Sequence, residues 1–315
     1  WFLEVKKGIL DAMERYLDAL DPIFDAPTLQ LFEDILPKKR QQLEWAKALV
    51  HNAVKDAEVL EGVTRWRSYV RSYLLYLGGV DERLEYPGAV KPDRPMVQAY
   101  GPLPVKCSKP DWAIKGDLGN PPKEFSDSLK IFMWHYATEI QTLDPMSYLF
   151  YAVDDMPFEF YVDLSRHIWD ESRHHKMGVR RLQQMGYDLK DIPFPYTEDP
   201  MKNFEQFYFD LTMIAESCSF TRKKKSMDAF YSKGDILSGM TAEIDVVDER
   251  SHVKFGKKWV PQLFQKRLGD DRSLAEIVRA KIEHIIIANS LGDPGMSHGA
   301  FCGRTEMPNL NFDKL

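Results

Sequence analysis

Two short segments with the same internal spacing constrain this chain more than anything else in it. Asp170-Glu171-Ser172-Arg173-His174 and Asp248-Glu249-Arg250-Ser251-His252 each set a glutamate and a histidine three residues apart. On a helix that spacing turns both side chains to one face. A further glutamate precedes each pair: Glu139 lies 32 residues before Glu171, and Glu216 lies 33 before Glu249. The offsets Glu139 to Glu216, Glu171 to Glu249 and His174 to His252 are 77, 78 and 78. An offset that holds to within one residue over three positions is the mark of a repeated unit, here a helical hairpin.

Turn signals fall where such hairpins need them. Asp154-Asp155-Met156-Pro157 stands midway in the first interval and Lys233-Gly234-Asp235 midway in the second. Each of the six residues then sits near the middle of its helix, roughly 20–25 Å from the turn at about 1.5 Å per residue. Between the hairpins, Gly186 to Pro200 carries prolines at 193, 195 and 200. It is too long for a tight turn and suits a single long crossover. The expected fold class is all-α.

Two Glu-x-x-His pairs plus one glutamate from each of two further helices are the ligand set of a dinuclear carboxylate centre. Carboxylates are hard oxygen donors, and imidazole suits iron and manganese. Four carboxylate charges nearly balance two divalent ions. Residues 123 to 265 therefore resemble the ferritin-like di-iron carboxylate superfamily, with Glu139, Glu171, His174, Glu216, Glu249 and His252 as expected metal ligands and catalytic residues. The resemblance implies a ferritin-like four-helix bundle with one long crossover.

The aspartate before each Glu-x-x-His narrows the resemblance. The Asp-Glu-x-x-His form is similar to ribonucleotide reductase small subunits and bacterial multicomponent hydroxylases. By that resemblance Asp170 orients His252 and Asp248 orients His174, each accepting the free ring N–H. The hydroxylases place a threonine one turn after the third glutamate; here Phe220 stands there. Other residues stay open. His135 and Tyr136, one turn before Glu139, read as core side chains, His135 alternatively as an outer-layer histidine or an extra ligand. His167 reads as a structural or outer-layer histidine or an extra ligand, and Asp245 as an outer-layer or solvated carboxylate. Cys218 reads as buried filler, and Lys223 to Lys225 as a solvated basic face.

The flanks carry no comparable motif. Residues 1–85 read as a helical flank, with an apolar stripe at Leu3, Ile9, Met13, Leu17 and Leu20 and a capped restart at Asp25-Ala26-Pro27. Residues 86–122 form a Pro-rich connector, 123–265 the di-metal bundle, and 266–315 a last helix and tail. Cys107 in the connector, and Cys302 with His298 in the tail, match no thiol or zinc pattern.

Composition excludes broad classes. The formal charge of −6 gives no general attraction to nucleic acid or anionic membrane. No apolar run approaches the ~20 residues that span a bilayer. Three cysteines point to a reducing, cytoplasmic setting. The chain starts at Trp1, so the lack of a leader is uninformative.

The leading expectation is an O2-activating non-haem di-iron oxidoreductase, an oxygenase, oxidase or desaturase on a small organic substrate. Two iron ions, or manganese, are its cofactors and dioxygen its co-substrate. A reductase or ferredoxin is the expected type of electron donor, and a homodimer the expected assembly. The alternatives are a ferroxidase or iron-storage protein, a di-manganese catalase-like enzyme, and a metal-free helical scaffold.

Overall fold

The computed structural model describes residues 2–95, 114–115, 135–188, 190, 195–196, 203–292 and 304–307. The described residues are all-helical apart from one parallel pairing of two-residue strands, β1 (Ile114–Lys115) with β2 (Pro195–Tyr196). It divides into two compact units, Trp1–Leu103 and Pro104–Leu315. Cys107, His298 and Cys302 lie outside the described residues, as do most of the Pro-rich connector and the tail.

In the first unit, α1 (Phe2–Ala19) packs on α2 (Ala26–Ala53) and on α3 (Ala57–Tyr76). Its small core is Leu10, Leu36 and Leu43, with Leu3, Met13, Leu17 and Phe32 against it. The inward position is Leu10; Ile9, expected in the stripe, is exposed. Leu10 is seven residues after Leu3 and before Leu17, and so keeps the helical phase that Ile9 breaks. The restart also differs from expectation. Asp25 precedes α2 without a side-chain cap bond, whereas Asp21 accepts from the backbone N–H groups of Ile23 and Phe24 at 2.8 and 3.0 Å.

The second unit holds the repeated hairpins. The first pairs α4 (Ile140–Ala152) with α5 (Phe158–Gln184). The second runs from α6 (Phe204–Phe209) through a π-helical stretch (Asp210–Glu216) into α7 (Ser217–Ser232), then returns along α8 (Ile236–Leu263). Helix α9 (Leu274–Ser290) follows a second π-helical stretch, Phe264–Leu268. The turn after α7 shows why a short loop suffices. Gly234 adopts φ +74°, a left-handed conformation that glycine takes without a Cβ penalty. The Asp235 N–H then reaches the Phe230 carbonyl, and the Gly234 N–H the Tyr231 carbonyl, both at 3.0 Å. Asp235 also starts the next helix, its carboxylate accepting from the Ser238 N–H at 3.1 Å.

The buried face of α5 runs Phe160, Leu164, His167, Glu171, His174, Gly178, Leu182. That of α8 runs Ser238, Ala242, Asp245, Glu249, His252, Gly256, Val260. These spacings of three and four are those of a seam between packed helices. The two seams are related position by position at an offset of 78, so the repeat covers the whole packing face and not the ligand positions alone. At the middle of each seam, polar side chains replace apolar ones, and apolar clusters lie to either side. One contains Phe160, Leu164, Met213, Trp259 and Leu263; the other contains Tyr136, Leu182, Phe230 and Ala242.

Candidate metal centre

Two of the four helical segments present their candidate ligand at a local irregularity. Glu139 sits at a helix break: residues 135–138 are helical, Glu139 is a turn, and α4 resumes at Ile140. Bonds of i to i+3 type tighten this joint, Glu139 N–H to the Tyr136 carbonyl at 3.1 Å and Thr142 N–H to the Glu139 carbonyl at 2.9 Å. Pro145 inside α4 removes a helical N–H just beyond. The His175 ring, pointing away from its neighbour His174, meets the Ala137 carbonyl at 2.6 Å and secures the far side of the break.

Glu216 closes the π-helical stretch. The Thr212 hydroxyl donates back to the Tyr208 carbonyl at 2.8 Å, which favours a widened turn. The wide turn needs space, and Gly256 provides it. A Cβ there would lie 2.4 Å from Thr212 Oγ1 and 2.8 Å from Met213 Sδ. The π-helical turn is thus built by a contact between α8 and this segment, and such turns commonly mark functional positions.

All six predicted ligands converge, together with His167 and Asp245, into two adjoining groups. The first comprises His167, Glu171, Glu216 and His252; the second comprises Glu139, His174, Asp245 and Glu249. Within each group, one donor atom from every residue lies within 4.8 Å of the others. In the first, His167 Nε2 is 3.0 Å from Glu216 Oε1 and 3.5 Å from Glu171 Oε1. His252 Nδ1 is 3.5 Å from both of those oxygens. In the second, His174 Nδ1 is 3.2 Å from Glu139 Oε2 and 3.6 Å from Asp245 Oδ1. Donors held about 2.0–2.2 Å from one ion stand about 3–3.5 Å from one another, so these edges fit a coordination shell. Glu171 Oε1 is also 3.9 Å from His174 Nδ1, which sets it between the groups.

Unsatisfied atoms point the same way. Among the described residues, nine buried side-chain nitrogens and oxygens have no hydrogen-bond partner. Seven of them belong to Glu139, His167, Glu171, His174, Glu216, Glu249 and His252. Leaving so many polar atoms unpaired in one place is costly unless something else satisfies them. The residues present could therefore hold metal ions.

Residues 89–286, more than half of the chain and including all four segments that carry the candidate ligands, match a family described as "Protein of unknown function (DUF455)". The chain belongs to that family. No curated protein and no solved structure matches it.

Around the ligands of this DUF455 member lies an ordered outer layer. Asp248 Oδ2 is 3.0 Å from His174 Nε2, and Asp170 Oδ2 is 3.3 Å from His252 Nε2. Each aspartate thus meets the histidine of the facing helix and leaves its Nδ1 turned toward the centre. The aspartates are held in turn: Arg166 bonds Asp170 at 2.7 Å, Arg173 bonds Asp170 at 2.9 Å, and Arg173 also contacts Asp248. Thr142 donates to Glu171 Oε2 at 3.2 Å. A hydroxyl near the centre therefore comes from the first hairpin, while Phe220 lines an outer groove with Thr221 and Lys224.

Burial and mutual charge set the protonation of this cage. Burial and the Glu171 charge push Glu139 up to about 7. Burial and the Glu216 charge raise Glu249 well above its usual value. Burial opposes charging of His167, His174 and His252, yet the surrounding carboxylates outweigh it, lifting them to about 9, 12 and 9. Protons on the three imidazoles thus balance part of the carboxylate charge.

Several residues left open by spacing alone find their places. His167 and Asp245 are both fully buried members of the groups. The signal was present: they too are 78 residues apart, each four before its glutamate. Tyr136 donates to Asp245 Oδ2 at 2.9 Å. His135 belongs to neither group and is held neutral, down to about 4, by burial and the nearby Arg222 and Lys223 charges. Cys218 packs against the large apolar cluster. Glu205 is buried, 3.1 Å from Arg267 and in neither group.

The reading of Lys223 as part of a solvated basic face is overturned. Lys223 is buried, with Nζ 2.8 Å from Asp245 Oδ1 and 2.6 Å from Glu249 Oε1. It stands seven residues after Glu216, two helical turns on, and so shares the inward face of that glutamate. Lys224 and Lys225, rotated off that face, are exposed.

Proposed function

We propose that this protein is an O2-activating non-haem di-iron oxidoreductase of the ferritin-like superfamily, an oxygenase, oxidase or desaturase acting on a small organic substrate. The observation that carries the reading is the pair of adjoining four-residue groups, with Glu171 between them. One ion would be held by His167, Glu171, Glu216 and His252, the other by Glu139, His174, Asp245 and Glu249. Bound there, two irons would supply the electrons and the Lewis acidity for activating dioxygen. The protein's own share is geometric and electrostatic. Asp170 and Asp248 keep a proton on the outer nitrogens of His252 and His174, so the inner nitrogens stay available. The apolar clusters on either side keep bulk water from the cage. Glu139, with a side chain 20% exposed against at most 4% for Glu171, Glu216 and Glu249, marks the side from which small molecules approach. A reductase or ferredoxin would deliver electrons from outside.

A manganese reading is favoured by one observation. The second group has three carboxylates and one imidazole, a donor set that suits manganese as well as iron. Peroxide disproportionation by manganese-loaded protein would separate this catalase-like activity from oxygen-dependent oxidation.

The test of the shared core is metal analysis of protein expressed with iron or manganese. The wild type should carry about two ions per chain, as a two-metal centre requires. Glu171→Ala and His252→Ala should lose most of that metal, together with the oxygen-dependent absorbance changes, while keeping helical content. Unchanged metal content in both variants would overturn the proposal.

A further inference from the structure

The two groups differ in one respect that their ligand types alone do not reveal. In the second, two of the four members are already engaged by a cation, since the Lys223 ammonium bonds Glu249 Oε1 and Asp245 Oδ1 at 2.6 and 2.8 Å. The other oxygen of Asp245 takes the Tyr136 hydroxyl at 2.9 Å. In the first group, among the described residues, no lysine or arginine pairs with His167, Glu171, Glu216 or His252. Their partners are one another, Thr142, Asp170 and, at 3.9 Å, His174.

The Lys223 side chain is only 10% exposed. Its side chain is buried beside the Tyr136 ring, with Nζ 5.9 Å from the ring centroid. Its position follows from helix phase with Glu216, so it is part of the inward face of α7. A buried ammonium is costly unless paired, and Asp245 and Glu249 are its pairs. A divalent ion entering the second group therefore competes with an existing cation for the same carboxylates.

We propose that Lys223 makes metal loading stepwise. The His167–Glu171–Glu216–His252 group fills first, and the Glu139–His174–Asp245–Glu249 group fills second, because its ion must displace Lys223 from Glu249 and Asp245. This inference rests on the two-metal reading above and concerns only the order and relative strength of its two steps. Lys223 acts as a positioning residue: it holds the second group in shape before its ion enters and sets the threshold for that ion.

The experiment is a titration of chelator-treated protein with Mn(II), read by equilibrium dialysis and electron paramagnetic resonance. In the wild type, the first ion per chain should give the spectrum of an isolated Mn(II). Exchange-coupled signal should grow only with the second ion, bound about tenfold or more weakly, the scale of one or two charge-assisted hydrogen bonds displaced. Lys223→Met, which keeps length and removes the charge, should tighten the second step by a similar factor and leave the first nearly unchanged. Lys223→Gln serves in the same way if the methionine variant does not fold. Equal wild-type affinities, or a second step unmoved by either substitution, would overturn the role of Lys223 while leaving the two-metal centre intact. Protein that takes up no metal in any form would remove the proposed function and this inference with it.

Discussion

His174 and Asp248 face each other across the bundle from different hairpins, with Nε2 and Oδ2 3.0 Å apart. His252 and Asp170 repeat the contact in the opposite sense at 3.3 Å. Each hairpin therefore orients a candidate ligand carried by the other. The contact fixes which ring nitrogen bears the proton and which faces inward.

Replacing Asp248 by asparagine tests that relationship. The amide keeps the shape but loses the charge that holds His174 Nε2–H, and Arg173 loses part of its anchor. Metal should still bind, with affinity about 10–100-fold lower, as is typical when a partner of a ligand is changed. Isothermal titration would measure it. Wild-type affinity in Asp248→Asn would reduce Asp248 to an ordinary charge near the surface.

Gly256 offers a second test, on packing. An alanine there would set its Cβ 2.4 Å from Thr212 Oγ1 and 2.6 Å from Thr212 Cβ. Both atoms belong to the π-helical stretch that ends in Glu216, so relief must come by moving that stretch away from α8. Overpacking of this kind costs about 1–3 kcal/mol. Gly256→Ala should lower the unfolding midpoint and also weaken metal binding, because Glu216 moves with the backbone. Chemical denaturation and metal titration on the same preparation would check the pair of effects. A stable variant with normal metal affinity would show that the close approach is not needed.

How much of this was legible beforehand depends on whether the cause was local. The all-helical class and the convergence of the six candidate ligands rest on i, i+3 pairs and an offset that holds to within one residue, both written directly in residue order. The π-helical turn was not legible. It contains no proline or glycine, and its cause, the missing side chain of Gly256, lies some forty residues away. Lys223 was misread for a different reason. Taken as a run, Lys223 to Lys225 looks solvated, but residues in a run point about 100° apart on a helix. Only phase against Glu216 singles out the inward one. The same lesson applies to Leu10, one position from the exposed Ile9.

In the first unit, Glu4 is buried and paired with Arg67 at 2.7 Å and Arg71 at 3.0 Å. Both arginines come from α3, so this carboxylate ties α1 to α3 where the apolar core is small. Glu4→Gln would leave the guanidinium groups without a charge partner. Each is well exposed and can rehydrate, which limits the loss to about 1–2 kcal/mol. Thermal unfolding should show a lower midpoint for the transition that reports on residues 1–85, with metal content unchanged. Altered metal loading would contradict the separation of these roles.

The last prediction concerns pH in the metal-free protein. His167, His174 and His252 are raised to about 9, 12 and 9 in the folded state, from about 6.5 unfolded. Their contribution is complete below pH ~6.5 and is lost as pH climbs, through about 9 for His167 and His252. Glu139, raised to about 7, acts in the same direction at lower pH, because the folded chain keeps a proton that the unfolded chain has released. Asp170, Asp248 and Glu171 are lowered, so their contribution is lost only as pH falls into the acid range. Across pH 6.5 to 9 the folded state thus binds more protons than the unfolded one, and stability must decline. Each 1 kcal/mol lost lowers the midpoint by about 2–4 °C in a domain of 150–250 residues. Saturating Mn(II) should reverse the trend, since metal takes the imidazoles in their neutral form and binds more tightly as pH rises. Thermal unfolding at pH 6.5, 7.5 and 9, with chelator and with Mn(II), would give both slopes. A chelated protein whose midpoint stays level or rises over that range would refute the charged cage.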